Sequence, residues 1–213
     1  MGGRDGADRD GRPLSLSNVL SLPDDGPRLA ALLASLAAGL LLPRVLGRRG
    51  SLWPRVIAPL LAALLSAGYI AYYLRGGPRI IDATGYWLQA RALSEGMLAW
   101  PISDPEHGVL GRFLLRTTVA GQPAVSGIFP PGYPAILAIG FKLGAPLAVG
   151  PVIAALLVLA TVALTRQLLV FGPDRWRTRE PTLVNVAASL SVTCGALRYH
   201  TADTMSHGLA ALY

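Results

Sequence analysis

The chain has 213 residues, of which 52% are hydrophobic and only 15% charged, whereas about a quarter charged is usual for a soluble domain. With a mean hydropathy of +0.46, this composition predicts an integral membrane protein. The net charge of +7 does not indicate a nucleic-acid partner, because the arginines crowd beside apolar runs, the pattern that holds loops on the cytoplasmic side of a membrane.

Residues 1–28 are rich in Gly, Asp, Arg and Pro and read as a disordered tail. They are not a signal peptide, since the apolar run comes late and no small-residue cleavage site follows it. Residues 29–47 are a candidate span that requires Arg44 to snorkel, so crossing and interfacial readings both stay open. Residues 56–74 form an uncharged run between Arg55 and Arg75, with Tyr69, Tyr72 and Tyr73 as an interfacial belt, and predict a transmembrane helix. A polar, aromatic loop, 75–144, follows. Within it the spacing predicts a helix over 84–95, capped by Thr84 and ended by Gly96, with Tyr86, Ala90, Leu93 and Met97 on one stripe suited to packing. Residues 113–128 alternate around Gly121-Gln122-Pro123, as in a small hairpin or extended pair. Pro130 and Pro131 forbid a helix, Gly132 permits close backbone approach, and 134–143 is too short to span and reads as a surface helix.

A second span is expected over 145–165, ending at Arg166, and a third over 182–199, whose Ser, Thr and Asn residues can hydrogen-bond across helices. The lone Cys194 lies within that run and reads as packing. Residues 206–213 begin a further apolar segment too short to cross, so the chain reads as the amino-terminal part of a longer polytopic protein. Orientation follows from the arginines. Arg44, Arg48, Arg49 and Arg55 crowd one loop and Arg166, Arg175, Arg177 and Arg179 another, which makes both cytoplasmic and places the 75–144 loop and 200–207 outside.

Asp82 would then lie just past a span, where headgroups meet water and a carboxylate can stay charged while facing a lipid-borne substrate. The plainer reading is an acid near a helix N-terminus, worth under about 1 kcal/mol. Arg91, one turn from Trp87, could bind a phosphate bidentately or be a solvated arginine. Tyr133 could bind sugar or anchor the interface. Asp203, with His200 and His207 nearby, is the candidate for a divalent-cation site, against ordinary interfacial polar residues as the favoured reading. Glu106 and His107 read as loop residues.

The order Asp82, Tyr86, Ala90, Gly96, Gly121, then Phe129-Pro130-Pro131-Gly132-Tyr133-Pro134 and Leu137-Ala138-Ile139-Gly140, resembles the first outer loop of the lipid-dependent GT-C glycosyltransferases. The likeness is greatest to the protein O-mannosyltransferase and aminoarabinose transferase branch (glycosyltransferase family 39-like), and Met205-Ser206-His207 extends it to bacterial members. The resemblance implies an all-α, polytopic membrane fold of GT-C type in the plasma membrane. It also implies a polyprenyl-phosphate sugar as donor and transfer on the extracytoplasmic face, with Asp82 as general base toward the acceptor. Tyr86, Arg91, Tyr133 and His207 are the expected substrate-binding residues. Many members follow the aspartate with glutamate, but here Ala83 stands in that place, so no second acid is available there.

Two other readings compete. A transporter or flippase would carry charged or broken helices at mid-membrane, and the expected spans lack buried charges. A non-catalytic membrane subunit of an envelope polysaccharide system would find Asp82 dispensable.

Overall fold

The computed structural model describes residues 52–102 and 114–213, together with Ala37 and Leu41. The expected tail (1–28), nearly all of the candidate span 29–47, and Glu106 and His107 lie outside the described residues.

The first rod begins as a π-helical turn, Trp53–Ile57, and continues as α1, Ala58–Tyr72. Pro59 has no N–H for the Arg55 carbonyl four residues back. The wider turn just before it, closed by the Ala58 N–H on the Trp53 carbonyl, absorbs that misfit. Helix α2 spans Ile81–Ser94, starting three residues before the expected 84. Extended Ile80 is the capping position, and the Thr84 hydroxyl donates back to the Ile80 carbonyl at 3.1 Å. Thr84 is therefore an in-helix residue, not the expected cap, because a hydroxyl can satisfy itself on a carbonyl one turn back. The other end is as expected: Gly96 takes φ +80, with the Gly96 N–H on Leu93 and the Met97 N–H on Ala92, the left-handed closure that glycine permits.

A small antiparallel sheet follows, β1 (Ala99–Pro101), β2 (Leu114–Val119) and β3 (Gln122–Gly127), in the order β1-β3-β2. Ala120 and Gly121 turn the β2–β3 hairpin with φ of 50° and 77°, the two left-handed residues of a primed turn. Pro123 faces Thr118 in β3, and its carbonyl accepts the Ile102 N–H. Without a proline N–H that pair makes only one of its two bonds, and β1 stops at Pro101. This sheet corrects the all-α expectation: the chain is mostly helical with a three-stranded sheet.

Helix α3, Gly132–Lys142, opens directly after Pro130-Pro131. A 3-10 turn at Pro146–Ala148 leads into α4, Val149–Val170. The short α5, Asp174–Arg177, returns the Arg177 guanidinium to the Val170 carbonyl at 2.6 Å, closing the end of α4. Then come α6 (Glu180–Thr193), α7 (Gly195–Ala202) and α8 (His207–Ala210).

Among the described residues two helices are long and apolar enough to cross a membrane, Trp53–Tyr72 with 20 residues and Pro146–Val170 with 25, where 56–74 and 145–165 were expected. The third expected span, 182–199, does not form one rod. The chain leaves the helix at Cys194 (φ −64, ψ 106) and re-enters as α7. The 14 residues of α6 rise only about 21 Å, short of the ~30 Å core of a bilayer.

Small residues make the seam between the rods. Ala58, Ala62 and Ser66 repeat every fourth residue on α1, and Gly150, Ala154 and Val158 do so on α4; all are buried, so the backbones approach closely. Helix α6 adds Val184, Ala188 and Val192 to the same core, and its Ser189 hydroxyl accepts the Trp53 indole N–H at 3.2 Å. Facing outward, Leu60, Leu64, Val152, Leu156, Leu164 and Leu168 are exposed apolar surface. A second core of Tyr86, Tyr133, Leu137, Ile153 and Leu157 joins α2 and α3 to the start of α4.

Candidate functional site

One end of the two rods, where α1 finishes and α4 begins, carries α2, α3 and the corner between α7 and α8. Two glycines seat that corner. A Cβ at Gly150 would collide with the Thr201 carbonyl oxygen, and one at Gly208 would stand 2.9 Å from the His200 carbonyl oxygen. The corner can lie against α4 only because neither side chain is there.

Tyr86 is the hub. Its ring stacks on Phe129 at 4.0 Å and meets Tyr133 edge-on at 5.5 Å, and its hydroxyl shares a hydrogen bond with Ser206 at 3.0 Å. The Gln89 amide donates to the Phe129 carbonyl at 2.9 Å, tying the proline-rich segment to α2. Thr204 donates to the Ala83 carbonyl at 3.3 Å, tying the α7–α8 corner to the first turn of α2. Asp82 is in that same turn, half-buried. It lies one turn before Tyr86 on the same side of the helix, and among the described residues it has no hydrogen-bond or ion-pair partner. A cavity of about 210 Å³ opens beside these groups, lined by Tyr86, Pro130, Gly132, Tyr133, Ser206 and Tyr213 among others.

Asp203 ends α7 and is 2% exposed. Burial pushes its carboxyl above the usual carboxylate range, while the Thr204 backbone N–H, His200, His207 and the Tyr199 hydroxyl pull it back. Among the described residues its Oδ1 has no hydrogen-bond partner, and neither has the His200 Nδ1. Burial first, then Asp203 and Tyr86, push the Tyr133 phenol well above its ordinary value. The His200 and His207 rings are 5.0 Å apart. Among the described residues no group of three His, Cys, Asp or Glu side chains is arranged to hold a metal ion.

The expected residues therefore separate. Tyr86, Tyr133 and the 203–207 corner meet, with Asp82 one turn away. Arg91 is exposed and paired with Glu95 at 3.7 Å on the same helix, and it does not line the cavity. His207 is exposed at the start of α8.

Sequence reasoning missed Arg198. Only 6% exposed, it donates from Nη1 to the Ala62 carbonyl at 3.1 Å and from Nη2 to Ser191 at 3.3 Å. Beside it, Ser66 and Thr201 share a hydrogen bond of 3.3 Å. The available signal was an arginine inside an otherwise uncharged run, and the expectation of no buried charge is corrected. No family model, curated protein or solved structure matches the chain.

Proposed function

We propose that the protein is a membrane glycosyltransferase that moves a sugar from a polyprenyl-phosphate carrier to an acceptor on the extracytoplasmic face of the plasma membrane. The observation that carries this reading is the half-buried Asp82, without an ion-pair partner among the described residues, in a turn bonded to the Asp203–Ser206 corner and one turn from an aromatic-walled cavity. A carboxylate can accept a proton, and the tyrosine rings that line the cavity suit contact with a sugar. In the reaction the acceptor hydroxyl gives its proton to Asp82 as its oxygen bonds the anomeric carbon. The bond from that carbon to the phosphate oxygen breaks with its electron pair, releasing polyprenyl phosphate. A single displacement inverts the anomeric centre.

A second reading, a transporter or flippase, draws on one specific observation: the helix break at Cys194 and the buried Arg198 guanidinium on the Ala62 carbonyl, since broken helices and charges at depth mark transport pathways. One experiment separates the two. Membranes holding the full-length protein, or its Asp82→Asn variant, are given labelled lipid-linked sugars, and released polyprenyl phosphate is measured. Release by the native protein and a loss of at least about a hundredfold in the variant, the scale of general-base catalysis, are expected. Turnover that survives the substitution removes Asp82 from the mechanism, and movement of the intact lipid-linked sugar without release supports transport.

A further inference from the structure

At the opposite end of the rods, an apolar groove of about 540 Å³ runs between α4 and α6. Leu168 and Leu169 form one wall, Leu183, Ala187 and Leu190 the other, and Trp176 and Arg179 stand with them in its lining. We propose that this groove holds one acyl chain of an anionic phospholipid, with the lipid phosphate at Arg179 and Arg175.

Three observations select that occupant. The first is charge: of the four arginines at this end, Arg166 is paired with Glu180 at 3.6 Å and Arg177 with Asp174 at 3.9 Å. Arg175 and Arg179 are exposed and have no acidic partner among the described residues, so two positive charges stand uncompensated by the groove. The second is length. From Arg179 to Leu190 is eleven residues, about 16 Å along a helix, close to half of the ~30 Å hydrocarbon core and so to the depth of one leaflet. The third is Trp176, a residue type that favours the headgroup level. A Cβ at Gly172 would come within 2.5 Å of the Trp176 ring, so the glycine permits this indole position. Basic clefts between membrane helices select anionic headgroups in this way.

The test uses the full-length protein in detergent, mixed with phosphatidylglycerol or phosphatidylcholine of the same acyl chains, with retained lipid counted by native mass spectrometry. Phosphatidylglycerol should be held several-fold better. Arg175→Gln with Arg179→Gln should weaken it by about five-fold per arginine, while Arg116→Gln, on an exposed strand at the other end, changes nothing. Ala187→Trp, which fills the groove, should weaken both lipids. Equal retention of the two lipids, or phosphatidylglycerol retention indifferent to the double substitution, overturns the proposal. So does a cross-link from Ala187→Cys to another protein segment occupying the groove. A readout with the charges intact guards against variants that do not fold. Brominated phosphatidylglycerol should quench fluorescence more than brominated phosphatidylcholine, with the difference lost in Trp176→Phe, and equal quenching counts against the site.

Discussion

Asp203 is a carboxyl that the fold buries beside two histidines and three hydroxyl-bearing residues. Its raised pKa has a definite consequence for stability. A folded-state value above the unfolded one favours the protonated form, so the associated stability is complete below the ordinary carboxylate value near 4 and is lost as pH rises through the folded value. Once ionised, above the folded-state value, the 2% exposed carboxylate is a cost to the native state, partly offset by His200, His207, Tyr199 and the Thr204 N–H. Asp203→Asn keeps the shape and removes the charge. Thermal unfolding of the full-length variant should show a melting temperature at or above the native one at pH 7, with any gain shrinking on acidification toward pH 4. A variant less stable at pH 7 than at pH 4, relative to the native protein, would mean that the neighbours outweigh desolvation.

At the scale of elements, the joint between α6 and α7 departs most from expectation. The Leu190 carbonyl takes the Cys194 N–H, and the Ser191 carbonyl is met by Arg198, whose other nitrogen reaches Ala62 near the middle of the Trp53–Tyr72 rod. Arg198→Ala would leave two buried carbonyls without these donors, and a loss of about 2 kcal/mol is expected, with part of it recovered by Arg198→Lys. Unfolding of the purified protein in micelles measures both, and unchanged stability in Arg198→Ala would show that the joint does not depend on the guanidinium. This joint was not legible in the sequence, because the apolar run continues through it and its partner is a carbonyl 136 residues away. The two long rods were legible from uncharged runs with flanking arginines, and the hairpin and the end of α2 from Gly121 and Gly96, whose positive φ values need glycine. The start of α2 was misread because threonine can cap a helix or bond back within one. Three-residue β1 is too short to leave a pattern. Asp82, Tyr86 and Tyr133 could be singled out by residue type and order, but the burial of Asp203 arises from the packing that Gly150 permits, which no local pattern records.

For the whole molecule, the arrangement of charge predicts which end faces the cytosol. The end with Arg166, Arg175, Arg177 and Arg179 has short connections, where arginine counts strongly, whereas Arg75, Arg79 and Arg91 belong to the long 75–144 stretch, where it counts little. The α2 end is therefore expected outside and the α5 end inside, which is also the orientation that outer-face chemistry at Asp82 requires. Two exposed positions report on it: Leu98, 79% exposed beside the sheet, and Arg175, exposed in α5. In a full-length protein without other cysteines, Leu98→Cys should react with a membrane-impermeant maleimide on intact cells. Arg175→Cys should react only after permeabilisation. The reverse pattern would put Asp82 in the cytosol, away from a sugar presented on the outer leaflet, and glycosyl transfer there would have to be given up. It would leave the phospholipid groove intact as a proposal and move it to the other leaflet, because that site depends on arginines, an indole and an apolar cleft rather than on which compartment they face.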